Sequence, residues 1–242
     1  MSKKFTFSEG HGKGSTFNRG FIGGNEGDNN LMLSNEIINY LNENYLVETY
    51  GIRRNGVNKD YPLYQRSSLG SGSDLFYSVH SNAFNGSVSG VEIILSFQSL
   101  KHYKLAQNLC KTISETLSIN NRGVKFRNRN NGNFLNYNQA KSNIPNWYGE
   151  LFNNRSDCAM IVEHFFHDNK NDVDKFFKNK DKLVKNIGDE LASYFKLQKK
   201  KVNNDIFYRV VTDSYQNIEN AKKRQKELKE KGIETFITPF EL

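Results

Sequence analysis

Three residues able to hold a metal or carry a proton stand at the ends of short apolar runs. His11 follows Lys4–Ser8, His80 closes Leu75–Val79, and Glu163 closes Ala159–Val162. In open α/β sheets the ligand crevice lies outside the carboxyl ends of the strands. If these three strands run parallel, the three side chains gather at one edge, and two imidazoles arriving beside carboxylates suit a metal site. A lone histidine at a strand end is more often a hydrogen-bonded structural residue, so on these residues alone both readings stand. Glu163 after a fully apolar strand is itself unusual, because a buried carboxylate without a partner is costly. A competing cluster, Glu163-His164-Phe-Phe-His167, has the order of neither H-E-x-x-H nor H-x-x-E-H. The apolar run before it reads as a strand, which puts His164 on the face opposite Glu163.

The elements that must position these residues follow from periodicity. Lys4–Ser8, Tyr45–Tyr50, Ser73–His80, Gly90–Phe97 and Cys158–Glu163 read as strands. Asn30–Asn44, Leu100–Leu117 and Asp181–Phe195 read as helices, with stripes such as Leu33, Ile37, Leu41 and Leu105, Leu109, Ile113, Leu117. Arg122–Asn143 is Asn-rich, short of apolar residues, and reads as an extended loop. Strands alternating with helices predict an α/β fold: an open, twisted, mostly parallel sheet with helices on both faces. After Lys196 the pattern changes to a polar, basic stretch, then a strand at Phe207–Val211, a charged helix at Ile218–Lys231 ended by Gly232, and a strand at Glu234–Thr238. The expected organisation is a large α/β domain at 1–196, a basic linker at 197–204 and a small α+β (βαβ) module at 205–242.

The 242 residues suffice for one α/β domain and a small appendage. The chain is polar, with a mean hydropathy of −0.72, yet 18 Phe and 12 Tyr can supply a core. A net charge of +8 calls for an acidic partner. Nucleic acid and an anionic cell wall both satisfy that, and no nucleic-acid-binding motif supports the first. No apolar run approaches the roughly 18 residues of a membrane helix, so no membrane partner is expected. The start Met1-Ser2-Lys3-Lys4 lacks the apolar core of a secretory signal, which predicts synthesis and retention in a cytoplasm until something else releases the protein. Cys110 and Cys158, both in apolar stretches, are expected as buried free thiols.

Several ordered motifs carry a resemblance. Glu9-Gly-His11-Gly and Gly24-Asn-Glu26-Gly-Asp-Asn-Asn-Leu31 are followed by Leu63-Tyr-Gln-Arg66 and Ser73-Asp-Leu-Phe-Tyr-Ser-Val-His80-Ser-Asn82-Ala83. Gly90-Val-Glu92, Asn121-Arg122-Gly-Val-Lys125 and Met160-Ile-Val-Glu163, with Asn169 beyond, complete the series. Together they resemble the amidase-3 family of zinc N-acetylmuramoyl-L-alanine amidases over about residues 4–195. The resemblance implies that His11, Glu26 and His80 hold Zn2+ and that Glu163 is the catalytic carboxylate. It also implies peptidoglycan as substrate, cut between N-acetylmuramic acid and L-alanine. The chain departs from the family's pattern in having Glu9 where Asp is usual, His164-Phe165 after Glu163 where a small residue and Gly are usual, and a longer stretch at Asn128–Asn154.

Phe207–Tyr215, Asn220-Ala221, Leu228 and Gly232 resemble half of a SPOR domain, a module that binds glycan strands; a basic helical appendage is the plainer reading. One βαβ unit leaves a sheet face and an edge uncovered, which predicts a homodimer through this module. With no secretory signal, the resemblance implies a phage endolysin released by a holin, or a bacterial autolysin freed by mother-cell lysis. A non-catalytic wall-binding protein on the same fold is the alternative.

Overall fold

The computed structural model describes residues 2–14, 22, 24–53, 60–200 and 213–238. The chain divides into two compact units, Met1–Lys200 and Lys201–Leu242.

The larger unit is built on strands β1 (Lys3–Glu9), β2 (Val47–Gly51), β3 (Leu75–Asn82), β4 (Val91–Leu95), β5 (Asn121–Arg127), β6 (Phe134–Leu135) and β7 (Cys158–Phe166). They form one sheet in the order β2-β1-β3-β7-β4-β5-β6. The pairs β2/β1, β1/β3, β3/β7 and β4/β5 are parallel, while β7/β4 and β5/β6 are antiparallel. The mixed pairing has a simple cause. Only residues 83–90 join β3 to β4, too few for the crossover of a dozen or more residues that a parallel return needs, so β4 reverses and lies beyond β7.

Helices α1 (Glu26–Asn44), α3 (Tyr103–Leu117) and α4 (Lys170–Tyr194) cover one face. Phe5, Phe7, Leu75, Tyr77, Val79, Met160 and Val162 of the central strands pack there against Leu33, Ile37, Leu41, Leu109, Ile113, Ile187 and Leu191, all buried. The opposite face is thinner: Phe76, Ala159, Ile161 and Ile94 pack with Ile52 and Leu151, and α2 (Leu63–Gly70) lies over β1. Alternation along a strand sends successive side chains to opposite faces, so Ser78, His80 and Glu163 share the thin side with Phe76 and Ile161. Both cysteines are buried free thiols.

Three elements of the larger unit differ from the sequence reading. Arg122–Asn143 is not one loop, because it contains β5 and β6. β5 has only Val124 and Phe126 as apolar alternates, and Arg122 and Lys125 face the Glu92 carboxylate, so its period is masked. α1 begins at Glu26 rather than Asn30, and α4 begins at Lys170 rather than Asp181. The Asn169 side chain caps α4 by accepting from the N–H groups of Asn171 and Asp172, which lets a polar first turn form. Residues 198–200 pair with 44–46, with Leu46 N–H donating to Gln198 O (2.8 Å) and Lys200 N–H to Asn44 O (2.8 Å).

In the smaller unit, α5 (Ile218–Glu230) starts at Asn217, whose side chain accepts from Glu219 N–H. It is followed by Gly232 at φ +76°. Residues 233–238 form no strand, and the strand expected at 207–211 lies outside the described residues. Among the described residues no helix is long and apolar enough to cross a membrane.

Candidate metal centre

β1 delivers His11 through a turn that only certain residues permit. His11 sits at φ +63°, a left-handed conformation uncommon outside glycine. Before it, a Cβ on Gly10 would lie 2.2 Å from His80 Cε1, so the His80 ring occupies the space a side chain would need. The turn is tied down from behind. Glu9, wholly buried, accepts from Ser34 Oγ–H (2.8 Å) and from Arg53 N–H (2.8 Å). Arg53 Nη1 in turn donates to His11 O (2.6 Å) and Gly27 O (2.9 Å). Glu9, the departure from the usual Asp, therefore ties the end of β1 to α1 and to the segment after β2.

Glu26 opens α1, where a carboxylate suits the positive end of the helix dipole. Gly27 permits the close approach, since a Cβ there would lie 2.1 Å from Gly12 O. Asn30, one turn on, donates to Gly10 O (3.2 Å) and to Glu26 Oε1 (3.3 Å), joining helix and turn.

β3 delivers His80 between these groups. Its Nδ1 lies 3.2 Å from Glu26 Oε1, and Glu26 Oε2 lies 3.3 Å from His11 Nε2. The two imidazole rings meet edge to face with centroids 5.4 Å apart. One ligand atom from each of His11, Glu26 and His80 falls within a 4.8 Å cluster, the one such group of His, Cys, Asp and Glu among the described residues. Two nitrogens and one carboxylate oxygen at this spacing match the donor set of a catalytic zinc site, which keeps a fourth position open. His11 and His80 line a cleft of about 340 Å³ together with Asp60, Tyr61, Leu63, Arg66 and Glu150.

Glu163 is the register partner of His80 across β3 and β7, and of Glu92 across β7 and β4. Its Oε2 is buried and has no hydrogen-bond partner. Glu92, by contrast, is neutralised by Arg122 Nε (2.7 Å) and Lys125 Nζ (2.6 Å) and accepts from Asn82 Nδ2 (3.1 Å). The Arg-Gly-Val-Lys element thus supplies the counter-charges for the carboxylate beside Glu163.

The electrostatics separate these acids. Burial pushes Glu163 up to about 8, helped by the nearby carboxylates of Glu26, Glu92 and Glu150, while His80 opposes. For Glu26, burial also disfavours the charge, but the hydrogen bond to His80 and the charges of His80 and His11 win and hold it at about 2. Glu150 behaves alike: burial is outweighed by His80, Arg66 and Ser78, leaving it at about 2. Burial lowers His11, with Glu26 opposing. Burial works against charge on His80 too, but hydrogen bonds to Glu150 and Glu26 lift it well above the ordinary imidazole range.

The sequence model of Amidase_3, described as N-acetylmuramoyl-L-alanine amidase, matches residues 8–193. The chain belongs to the Amidase_3 family. Its activity class is that of peptidoglycan-hydrolysing N-acetylmuramoyl-L-alanine amidases. Solved structures of similar fold include Cwp6 from Clostridium difficile, with 28% identity and a TM-score of 0.63 over 81% of this chain. This chain spans only 29% of Cwp6. The catalytic domain of CwlV, an amidase from Bacillus (Paenibacillus) polymyxa var. colistinus, matches at 17% identity and a TM-score of 0.64, covering 81% of this chain and 99% of that one. The catalytic domain of the CD27L endolysin targeting Clostridia difficile matches at 21% identity and a TM-score of 0.56, covering 79% and 97%. No curated protein sequence matches the chain.

In this amidase the residues singled out by sequence meet as described, and the competing cluster does not. His164 points to the helix-covered face, within hydrogen-bonding distance of Tyr77 Oη (2.9 Å) and His80 O (3.0 Å). His167 pairs through Nδ1 with Ser81 Oγ (2.9 Å). Two site residues escaped sequence reasoning. Arg53 sits after a short strand with no motif around it, and Glu150 lies in the long stretch between β6 and β7. Its one sequence signal is a lone acid among aromatic and Asn residues.

Proposed function

We propose that this amidase is zinc-dependent, with His11, Glu26 and His80 as protein ligands and Glu163 as general base and acid. The observation carrying this reading is the 4.8 Å cluster of ligand atoms beside a buried carboxylate whose Oε2 lacks a partner. Zinc bound there would polarise the muramoyl–L-alanine carbonyl and make water acidic enough to attack near neutral pH. Glu163 accepts the proton of the attacking water and returns it to the departing alanine nitrogen. A carboxyl poised near the working pH suits both transfers, and a neighbouring cation draws it toward the ionised form. Asn82, Arg122 and Lys125 hold Glu92 so that its charge is balanced beside Glu163. Digestion of purified peptidoglycan, with the new termini identified by mass spectrometry, tests the reaction. Free L-alanine amino ends should appear; new reducing ends alone would reject it.

The same reading extends to biology. A charge of +8 favours an anionic wall, and a lytic role as a phage endolysin, acting after holin release or cell lysis, fits the resemblance to the catalytic domain of the CD27L endolysin. The smaller unit serves as a SPOR-like anchor that pairs with a second copy. Ile218, Ile233 and Ile237 are exposed on it, while Leu228 is the buried apolar residue of its described part. Pairing would make anchoring bivalent and raise avidity without new contacts. Light scattering on the full chain and on a version ending at Lys200 tests this; a monomeric full-length chain at micromolar concentration would reject the dimer.

A further inference from the structure

We infer that Glu150 is a positioning residue for the metal centre: it accepts the Nε2–H of His80 and so reserves His80 Nδ1 for the metal. The inference rests on the zinc reading above. His80 has carboxylates on both sides of its ring. Nδ1 faces Glu26 Oε1 at 3.2 Å, on the side of the three-ligand cluster, whereas Nε2 faces Glu150 Oε1 at 3.4 Å. A ligating imidazole is neutral, with its lone pair on the metal side, so the remaining proton needs an acceptor on the other nitrogen. His80 is largely enclosed, and Glu150 is the acceptor the fold places there.

Glu150 is itself held firmly, as such an acceptor must be. Its Oε2 accepts from Ser8 Oγ–H (3.2 Å) and Ser78 Oγ–H, and Arg66 Nη1 stands 3.7 Å from Oε1. Ser8 belongs to β1 and Ser78 to β3, two of the strands that carry ligands into the site. The carboxylate thus registers those strands against the loop before β7 while it orients the ring. It stands outside the cluster of ligand atoms, so it acts through His80 and not on the metal. Removing a partner of this kind weakens metal affinity about 10–100-fold.

The test uses the full-length chain and zinc alone, titrated against a chromophoric chelator, with Glu150→Gln and Glu150→Ala beside the parent. Glu150→Ala should weaken zinc binding about 10–100-fold, and Glu150→Gln, which keeps an acceptor of similar size, should recover part of that loss. A purely structural role would lower thermal stability and leave zinc affinity alone. Imidazole 15N spectra of the zinc-loaded parent give a reading that needs no variant: His80 should be protonated at Nε2 and metal-bound at Nδ1. Zinc affinity within about twofold of the parent in both variants, or a His80 bound through Nε2, would overturn the inference. Failure of the parent to bind zinc at all would instead reject the zinc reading on which it rests.

Discussion

His80 and Glu163 are direct partners across the parallel pair β3/β7, so their side chains leave the same sheet face side by side. One belongs to the ligand cluster and the other stands next to it with a buried, unpartnered oxygen. This juxtaposition divides the site into a metal-holding half and a proton-carrying half, and the two halves fail in different ways.

Removing a ligand should abolish both functions. His80→Ala leaves His11 and Glu26, and two protein ligands hold zinc poorly. We expect stoichiometric zinc in the purified parent, little in the variant, and no wall lysis by the variant. In the parent, chelation should stop lysis until zinc is restored. Metal analysis and turbidity loss of wall suspensions check both, and full lysis by a zinc-free His80→Ala preparation contradicts the ligand assignment.

Crowding the ring should disturb the site without replacing a ligand. In Gly10→Ala the new Cβ would fall 2.2 Å from His80 Cε1, so the ring or the turn must move. Overpacking of this kind costs about 1–3 kcal/mol. The expected outcome is a lower unfolding free energy in urea together with weaker zinc binding, and unchanged zinc affinity would show that His80 is not held where the fold places it.

His164 provides a pH signature of folding. Burial holds this imidazole at about 4, down from its ordinary 6.5, and its residue is wholly enclosed. Below pH 6.5 the unfolded chain takes up the proton first while the folded chain stays neutral. Stability is therefore full above 6.5 and is lost progressively as pH falls toward 4, by about 3 kcal/mol from this group. The difference in urea unfolding free energy between the parent and His164→Gln should shrink over that interval; parallel curves for the two proteins contradict it.

Much of this architecture was legible because the central strands are continuous apolar runs that end in chemistry. Leu75–Val79 and Ala159–Val162 mark buried parallel strands, and the residue after each is a site residue. β5 was hidden because Arg122 and Lys125, which resemble loop residues, satisfy Glu92 across the sheet. The first turn of α1 was hidden because Glu26 is buried for its neighbours' sake and breaks the apolar stripe. Only the family resemblance pointed to it. Glu150 and Arg53 could not be read at all, because what makes them part of the site is distance in space: 70 residues separate Glu150 from His80, and 42 separate Arg53 from His11.

The most direct test of the account is the separation of metal binding from proton transfer in Glu163→Gln. The substitution keeps size and hydrogen-bonding capacity while removing the base. Zinc content and fold should match the parent, and turnover on purified peptidoglycan should fall by about 10²–10⁴, the usual share of general acid–base catalysis. Loss of zinc together with activity would make Glu163 a ligand and contradict the division of roles between Glu26 and Glu163.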